Sequence, residues 1–188
     1  MQIISSKAIN FKVQAKNMSK LKSLVLCGLF IAMYIVLYYC NIVITPTIQF
    51  RLSFLVIAAA GLYGGPLMGL TVGLVSDILS MLVTGGQGAA FFFGFTLSYA
   101  IMGFLFGLIF YGVKMNIGRA IAGALVEFCV SLLLNTYWLS ILYGLPYQTM
   151  FLTRIPKCLI TLVISVTLLY VFLKAFSKML AGLHFNLD

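Results

Sequence analysis

Apolar residues fall into long blocks separated by short polar or glycine-rich interruptions, a pattern of membrane-length helices rather than of alternating strands. Residues 24–40 form an uncharged run, and a start drawn back to Ser19 or Lys22 brings it to spanning length. Residues 41–49 (NIVITPTIQ) carry Pro46 and β-branched side chains and predict an extended loop at the far surface. From residue 52 to residue 83 only Asp77 is charged. One helix of that length would measure about 48 Å, against a hydrocarbon core of about 30 Å. Gly64-Gly65-Pro66 divides it into a short second helix over 51–63, tilted or partly sheltered, and a third over 66–83. Residues 85–88 make a glycine-rich far-side loop, and 89–111 a fourth helix. A turn around Asn116 and Gly118 leads to a fifth helix over 120–143, a Gly/Pro loop comes next over 143–148, and a sixth helix covers about 150–175. The reading is all-α: an integral membrane protein with six transmembrane helices. It divides into a basic N-terminal segment (1–21), a transmembrane domain (22–178) and a tail (179–188).

Composition excludes a soluble domain. Hydrophobic residues are 63% of the 188 and charged residues 8%, against about 45–50% and about 25% in ordinary globular chains. Too few charges remain to coat a surface in water. The basic start does not read as a signal peptide, because the apolar run behind it is too long and lacks a small-residue cleavage pattern. Cys27, Cys40, Cys129 and Cys158 lie in apolar segments with no CxxC spacing and no nearby histidine, so neither a disulfide framework nor a metal site is indicated. His184, the single histidine, falls in the tail.

The net charge of +9 raises the question of nucleic acid, but its distribution answers for membrane topology and anionic lipid. Lys7, Lys12, Lys16, Lys20 and Lys22 precede the first helix. With both termini in the cytoplasm, these five, Lys114, Arg119, Lys174 and Lys178 fall on the inner side. Arg51, Arg154 and Lys157 fall on the outer side and need another reason to exist.

Arg154 and Lys157, three apart on a helix, share a face, and Arg51 enters from another helix at the same depth. Grouped cations at low dielectric repel unless an anion is near. Only Asp77 lies at comparable depth, Glu127 being nearer the inner end of helix five. The functional reading is an outward pocket for an anionic ligand whose carboxylates arginine can hold bidentately. The bland reading is that Arg154 and Lys157 reach to lipid headgroups while Arg51 pairs with Asp77. Tyr137, Trp138, Tyr143, Tyr147 and the Phe91–93 triplet can be an interfacial belt or packing. Trp138, the lone tryptophan on a face shared with Ser131 and Leu134 and running back to Glu127, could instead stack on a flat ring. Gly61, Gly65, Gly69, Gly73, Gly103 and Gly107 have the four-residue spacing of close helix packing, as does Gly28 with Ala32. No paired carboxylates, Ser/His/Asp set, metal motif or P-loop occurs, so the sequence does not read as an enzyme, and any energy for transport must come from another subunit.

Four stretches in this order carry a resemblance: Ile48-Gln-Phe-Arg-Leu-Ser-Phe54; Gly64-Gly-Pro-Leu-Met-Gly-Leu-Thr-Val-Gly73 with Asp77; Thr84-Gly-Gly with Phe93-Gly-Phe-Thr-Leu-Ser98; and Thr153-Arg-Ile-Pro-Lys157. Over about residues 20–178 the chain resembles the substrate-binding (S) components of energy-coupling factor (ECF) vitamin transporters, nearest to their folate-specific branch. The resemblance implies a high-affinity folate binder in the bacterial plasma membrane. It would dock on a transmembrane scaffold subunit with two ATPases and topple to release its ligand inside, with no cofactor and no nucleic acid. It implies that Arg51, Arg154 and Lys157 bind carboxylates, that Tyr137 and Trp138 stack on the rings, and that Asp77 pairs with pterin N–H donors. Gly28 and Ala32 would stand where the family carries its Ala-x-x-x-Ala scaffold contact, with Gly in place of the first Ala. Residues 41–50, 84–90 and 143–149 would form the outer gate. Alternatives are an S component for another vitamin, though three cations argue against uncharged riboflavin and more strongly against cationic thiamine, or a small structural or pore-forming membrane protein.

Overall fold

Polar side chains such as Asp77, Thr96, Thr136 and Arg154 turn inward beside an apolar core, while many large apolar side chains stay on the outside, as suits a bundle surrounded by lipid rather than water. The computed structural model describes residues 14–15, 18, 20–40, 42–45, 48–84, 92–113 and 115–182. Helix α1 (Leu21–Tyr39) leads into an antiparallel hairpin of β1 (Ile42–Thr45) and β2 (Ile48–Phe50), in register Ile42 with Phe50 and Val43 with Gln49. Next come α2 (Phe54–Thr84), α3 (Phe93–Phe110) and α4 (Ile117–Cys129). One π-helical turn, Val130–Leu134, joins α4 to α5 (Asn135–Tyr143), and α6 runs over Tyr147–Gly182. The all-α bundle carries one short hairpin: the β-branched stretch expected as an extended loop pairs its own backbone groups.

Among the described residues, five stretches are long and apolar enough to cross a membrane: α1, α2, α3, the continuous α4–α5 unit and α6. The expected break in α2 falls at Gly65, whose φ of 83° and ψ of −169° are not helical. Such a φ suits glycine, and Pro66, which has no N–H to leave unpaired, suits the first position of the next helical segment. The chain reverses there. Before the break Ile57 lies against Gly103 and Gly61 against Gly107; after it Pro66 lies against Gly107, Gly69 against Gly103 and Gly73 against Tyr99. The segment before the break is sheltered, with every residue from Phe54 to Gly61 buried. This explains how an arm of little more than 15 Å (about 1.5 Å per residue) can sit in a bilayer: protein, not lipid, surrounds it.

The Leu67 amide, in the first turn after the reversal, has no carbonyl of its own helix to bond. It donates to Oε1 of the buried Gln14 at 3.4 Å, so the N-terminal segment caps this turn. Arg119 is also more than a topology signal. Its buried guanidinium donates to the carbonyl of Ile109, one of the last in α3, which would otherwise lack a partner. α6 begins before residue 150 and passes residue 175, and at about 54 Å it outruns the hydrocarbon core. Helices α1, α2 and α3 meet α4 and α6 around one core that includes Tyr34, Ile57, Phe106, Phe110 and Leu169.

Candidate functional site

Arg51 stands between β2 and α2. Its Nη1 donates to the hydroxyl of Tyr99 at 2.9 Å, and its guanidinium lies 5.3 Å from the ring centre of Tyr38 and 5.8 Å from that of Tyr99. Tyr34 meets Tyr99 edge-on and stacks on Tyr38. The rings thus hold the cation by their negative faces. Burial works against the charge, but the facing oxygens of Tyr99, Tyr38 and Tyr34, with Asp77 beyond, outweigh it, so Arg51 holds its proton more tightly than a free arginine.

From α6, Arg154 is buried and its Nη1 donates to Thr136 Oγ1 of α5 at 3.1 Å, while its Nε, sealed from solvent, has no hydrogen-bond partner. Lys157, one turn on, is half-buried. Pro156 between them has no N–H, which leaves the Leu152 carbonyl without its helical donor in the same region. Arg154, Lys157 and Arg51 lie within electrostatic reach of one another. Two carboxylates answer them. Asp77 is felt by Arg51, and Glu127 is felt by Lys157 and Arg154. Glu127 is buried against α6, where Ser165 Oγ donates to it at 3.4 Å.

Asp77 is 1% exposed and accepts from Thr96 Oγ1 at 2.7 Å through Oδ2; its Oδ1 has no partner. Trp138 Nε1 donates to Ser98 Oγ at 3.0 Å, and the indole packs on Gly94, where a β-carbon would collide with it, and on Phe92. The α3 glycine therefore makes the seat for the ring.

Of the residues expected from sequence, Arg51, Asp77, Arg154 and Lys157 converge, and Trp138 lines α3 beside them. Tyr137 does not enter: it is 51% exposed and meets Trp138 edge-on from outside. The expected common face of Glu127, Ser131 and Trp138 also divides, because Ser131 faces Cys158 of α6 whereas Trp138 faces α3. The cause is the π turn, whose extra residue rotates the remainder of the helix by about 100°. Gly28 and Ala32 lie apart on the exposed face of α1, with nothing within 4 Å of a β-carbon at Gly28. Of the expected gate, 41–50 includes the hairpin, 85–90 falls outside the described residues, and 143–149 shortens to a left-handed turn at Gly144 before α6 resumes at Tyr147. Tyr34, Tyr38, Tyr99, Thr96, Ser98 and Thr136 join the cluster without having been expected there; hydroxyls recurring inside apolar helices are the signal that could have found them. The arrangement supplies cations, an open acceptor and an aromatic face, which suit recognition of a flat anion.

Residues 22–173 match the family model of the ECF transporter substrate-specific component. The folate transporter FolT of Clostridium novyi (strain NT) is 35% identical over 127 residues, 67% of this chain and 73% of that protein. A crystal structure of FolT bound with folic acid superposes with a TM-score of 0.72 at 27% identity, covering 81% of this chain and 91% of that one. With a helical membrane bundle, a polar cluster at one end and a family match over most of its length, the chain belongs to the substrate-specific components of ECF transporters, a binding subunit and not an enzyme.

Proposed function

We propose that the chain captures folate at the outer face of a bacterial plasma membrane and delivers it through an ECF complex of a transmembrane scaffold subunit and two ATPases. The observation that carries this is the convergence of Arg51, Arg154 and Lys157 with Asp77 and Trp138 at one end of a bundle similar to FolT with folic acid bound. Folate has a flat pterin, an aminobenzoyl linker and a dicarboxylate tail. Arg51, Arg154 and Lys157 bind the carboxylates, Trp138 stacks on a ring with Tyr137 buttressing it from outside, and Oδ1 of Asp77 accepts from pterin N–H groups.

Counted with the two arms of α2 as separate segments, the bundle has six membrane helices, and both termini are cytoplasmic. The reversal at Gly65 and the positive-inside distribution support this. The domain limits remain 1–21, 22–178 and 179–188. Gly28 and Ala32, exposed and free of bulk, form the scaffold contact, and toppling, as in the family, completes delivery. The test is folic acid titration of the purified full-length chain, monitored by Trp138 fluorescence. Saturable quenching that Arg154→Ala weakens supports the reading; no saturable response overturns it.

A further inference from the structure

The π turn does more than interrupt a helix. Its Asn135 N–H bonds the Val130 carbonyl five residues back, and Thr136 Oγ1 donates to the Ser131 carbonyl across the same interval, at 3.5 Å. Thr136 is fully buried. With its proton turned to Ser131, its oxygen is left as an acceptor, and Arg154 Nη1 takes it at 3.1 Å. The turn therefore supplies both the rotation that brings Thr136 to face α6 and the carbonyl that orients its hydroxyl.

A guanidinium offers a planar carboxylate two bidentate edges, the end formed by Nη1 and Nη2 and the side formed by Nε and Nη2. Thr136 holds Nη1, one of the two nitrogens that make up the end, through one of that nitrogen's N–H groups. On the side, Nε is sealed from solvent and has no protein partner. A buried donor left unpaired is costly, and a charged one more so. It is accounted for if a ligand oxygen completes it.

We infer that Thr136 is a positioning residue: it fixes Arg154 so that the Nε/Nη2 edge, and not the end of the fork, receives one carboxylate of the ligand. This rests on the folate reading. Lysine could not replace arginine here, since an ammonium has no edge to aim.

The experiment compares two ligands on the full-length chain in detergent: folic acid, and its bis-amide, in which both glutamyl carboxylates are neutral amides. Thr136→Val, which keeps the shape and loses the acceptor, should weaken folic acid about 10-fold and leave the bis-amide within about 2-fold. Thr136→Ser should restore folic acid binding to within about 3-fold, and Arg154→Ala should weaken folic acid at least as much as the valine variant. Thr136→Ala gives the same comparison where the valine variant fails to fold. Equal losses for both ligands would mean a structural role and overturn the inference. Unchanged folic acid binding in Thr136→Val beside weakened binding in Arg154→Ala would overturn it too, while leaving the folate reading standing. Unchanged folic acid binding in Arg154→Ala would instead remove the carboxylate assignment on which it rests.

Discussion

Thr96 donates to one carboxylate oxygen of Asp77 across the α2–α3 contact, and the other oxygen, equally sealed from solvent, is left with no partner. Half of a buried carboxylate is thus anchored by the protein and half is left without a partner from it. A ligand with paired N–H groups gains at that oxygen what water cannot give it.

Asp77→Asn should separate binding from stability. The amide still accepts from Thr96 but turns a donor toward the ligand's donors, so folic acid affinity should fall by about 30-fold or more, about 2 kcal/mol. Thermal stability in detergent should hold or rise, since an ionisable group leaves a buried site. A variant that melts early and binds normally would contradict both parts.

Tyr99→Phe removes the hydroxyl that Arg51 donates to while keeping the ring beneath the cation. Affinity should drop roughly 10- to 100-fold, the net worth of one charge-assisted hydrogen bond. Tyr99→Leu, which removes the ring as well, should cost more. Isothermal titration of the two variants side by side gives the ordering.

Gly103→Ala should lower the melting temperature sharply, because a β-carbon there would run into the backbone of Gly69, which cannot step aside as a side chain can. A cost of at least about 1–3 kcal/mol is expected from such overpacking. Gly28→Ala is the matched control: with nothing within 4 Å, it should be neutral or stabilising by up to about 1 kcal/mol from helix propensity. Gly28→Leu should leave folic acid binding intact while reducing co-purification with the scaffold subunit.

Gly65→Ala meets two obstacles, a φ of 83° and the Gln14 side chain 3.0 Å from the new methyl. Loss of about 1–3 kcal/mol is expected from the backbone alone, since φ 83° with ψ −169° is a region essentially only glycine adopts. Gln14→Ala, which takes the acceptor from the Leu67 amide but leaves the backbone at Gly65 unstrained, should be milder, about 1 kcal/mol. Thermal melts of both variants check the order.

The helical segments are legible in the sequence because lipid enforces a crude rule: long apolar runs, interrupted where the chain turns. Gly65 with Pro66 stands out for the same reason, and Arg51, Arg154 and Lys157 because they sit against the charge gradient. Rotation about each helix axis is not legible. The one-residue insertion of the π turn has no mark in the letters VSLLL, yet it parts Ser131 from Trp138 and turns Thr136 to Arg154. Tyr34 and Tyr38 look like any interfacial tyrosines until the fold lays them against Arg51 and Tyr99. Counting turns puts Glu127 nearer the inner end, and there Ser165, about two turns inward of Lys157 on α6, donates to it; that Lys157 and Arg154 still reach it electrostatically is not legible.

The contact of Gly69 with Gly103 sets main chain against main chain, so at that point α2 and α3 have no side chain between them to swivel and serve as a bearing. Sliding one helix past the other would drive peptide groups into each other, so the pair travels as a single plank. Asp77, Thr96, Ser98 and the indole seat at Gly94 all ride on it. Loading and unloading would then shift the remaining helices, with Trp138 on α5 and Arg154 on α6, against this plank, which carries Asp77 and the seat of the indole.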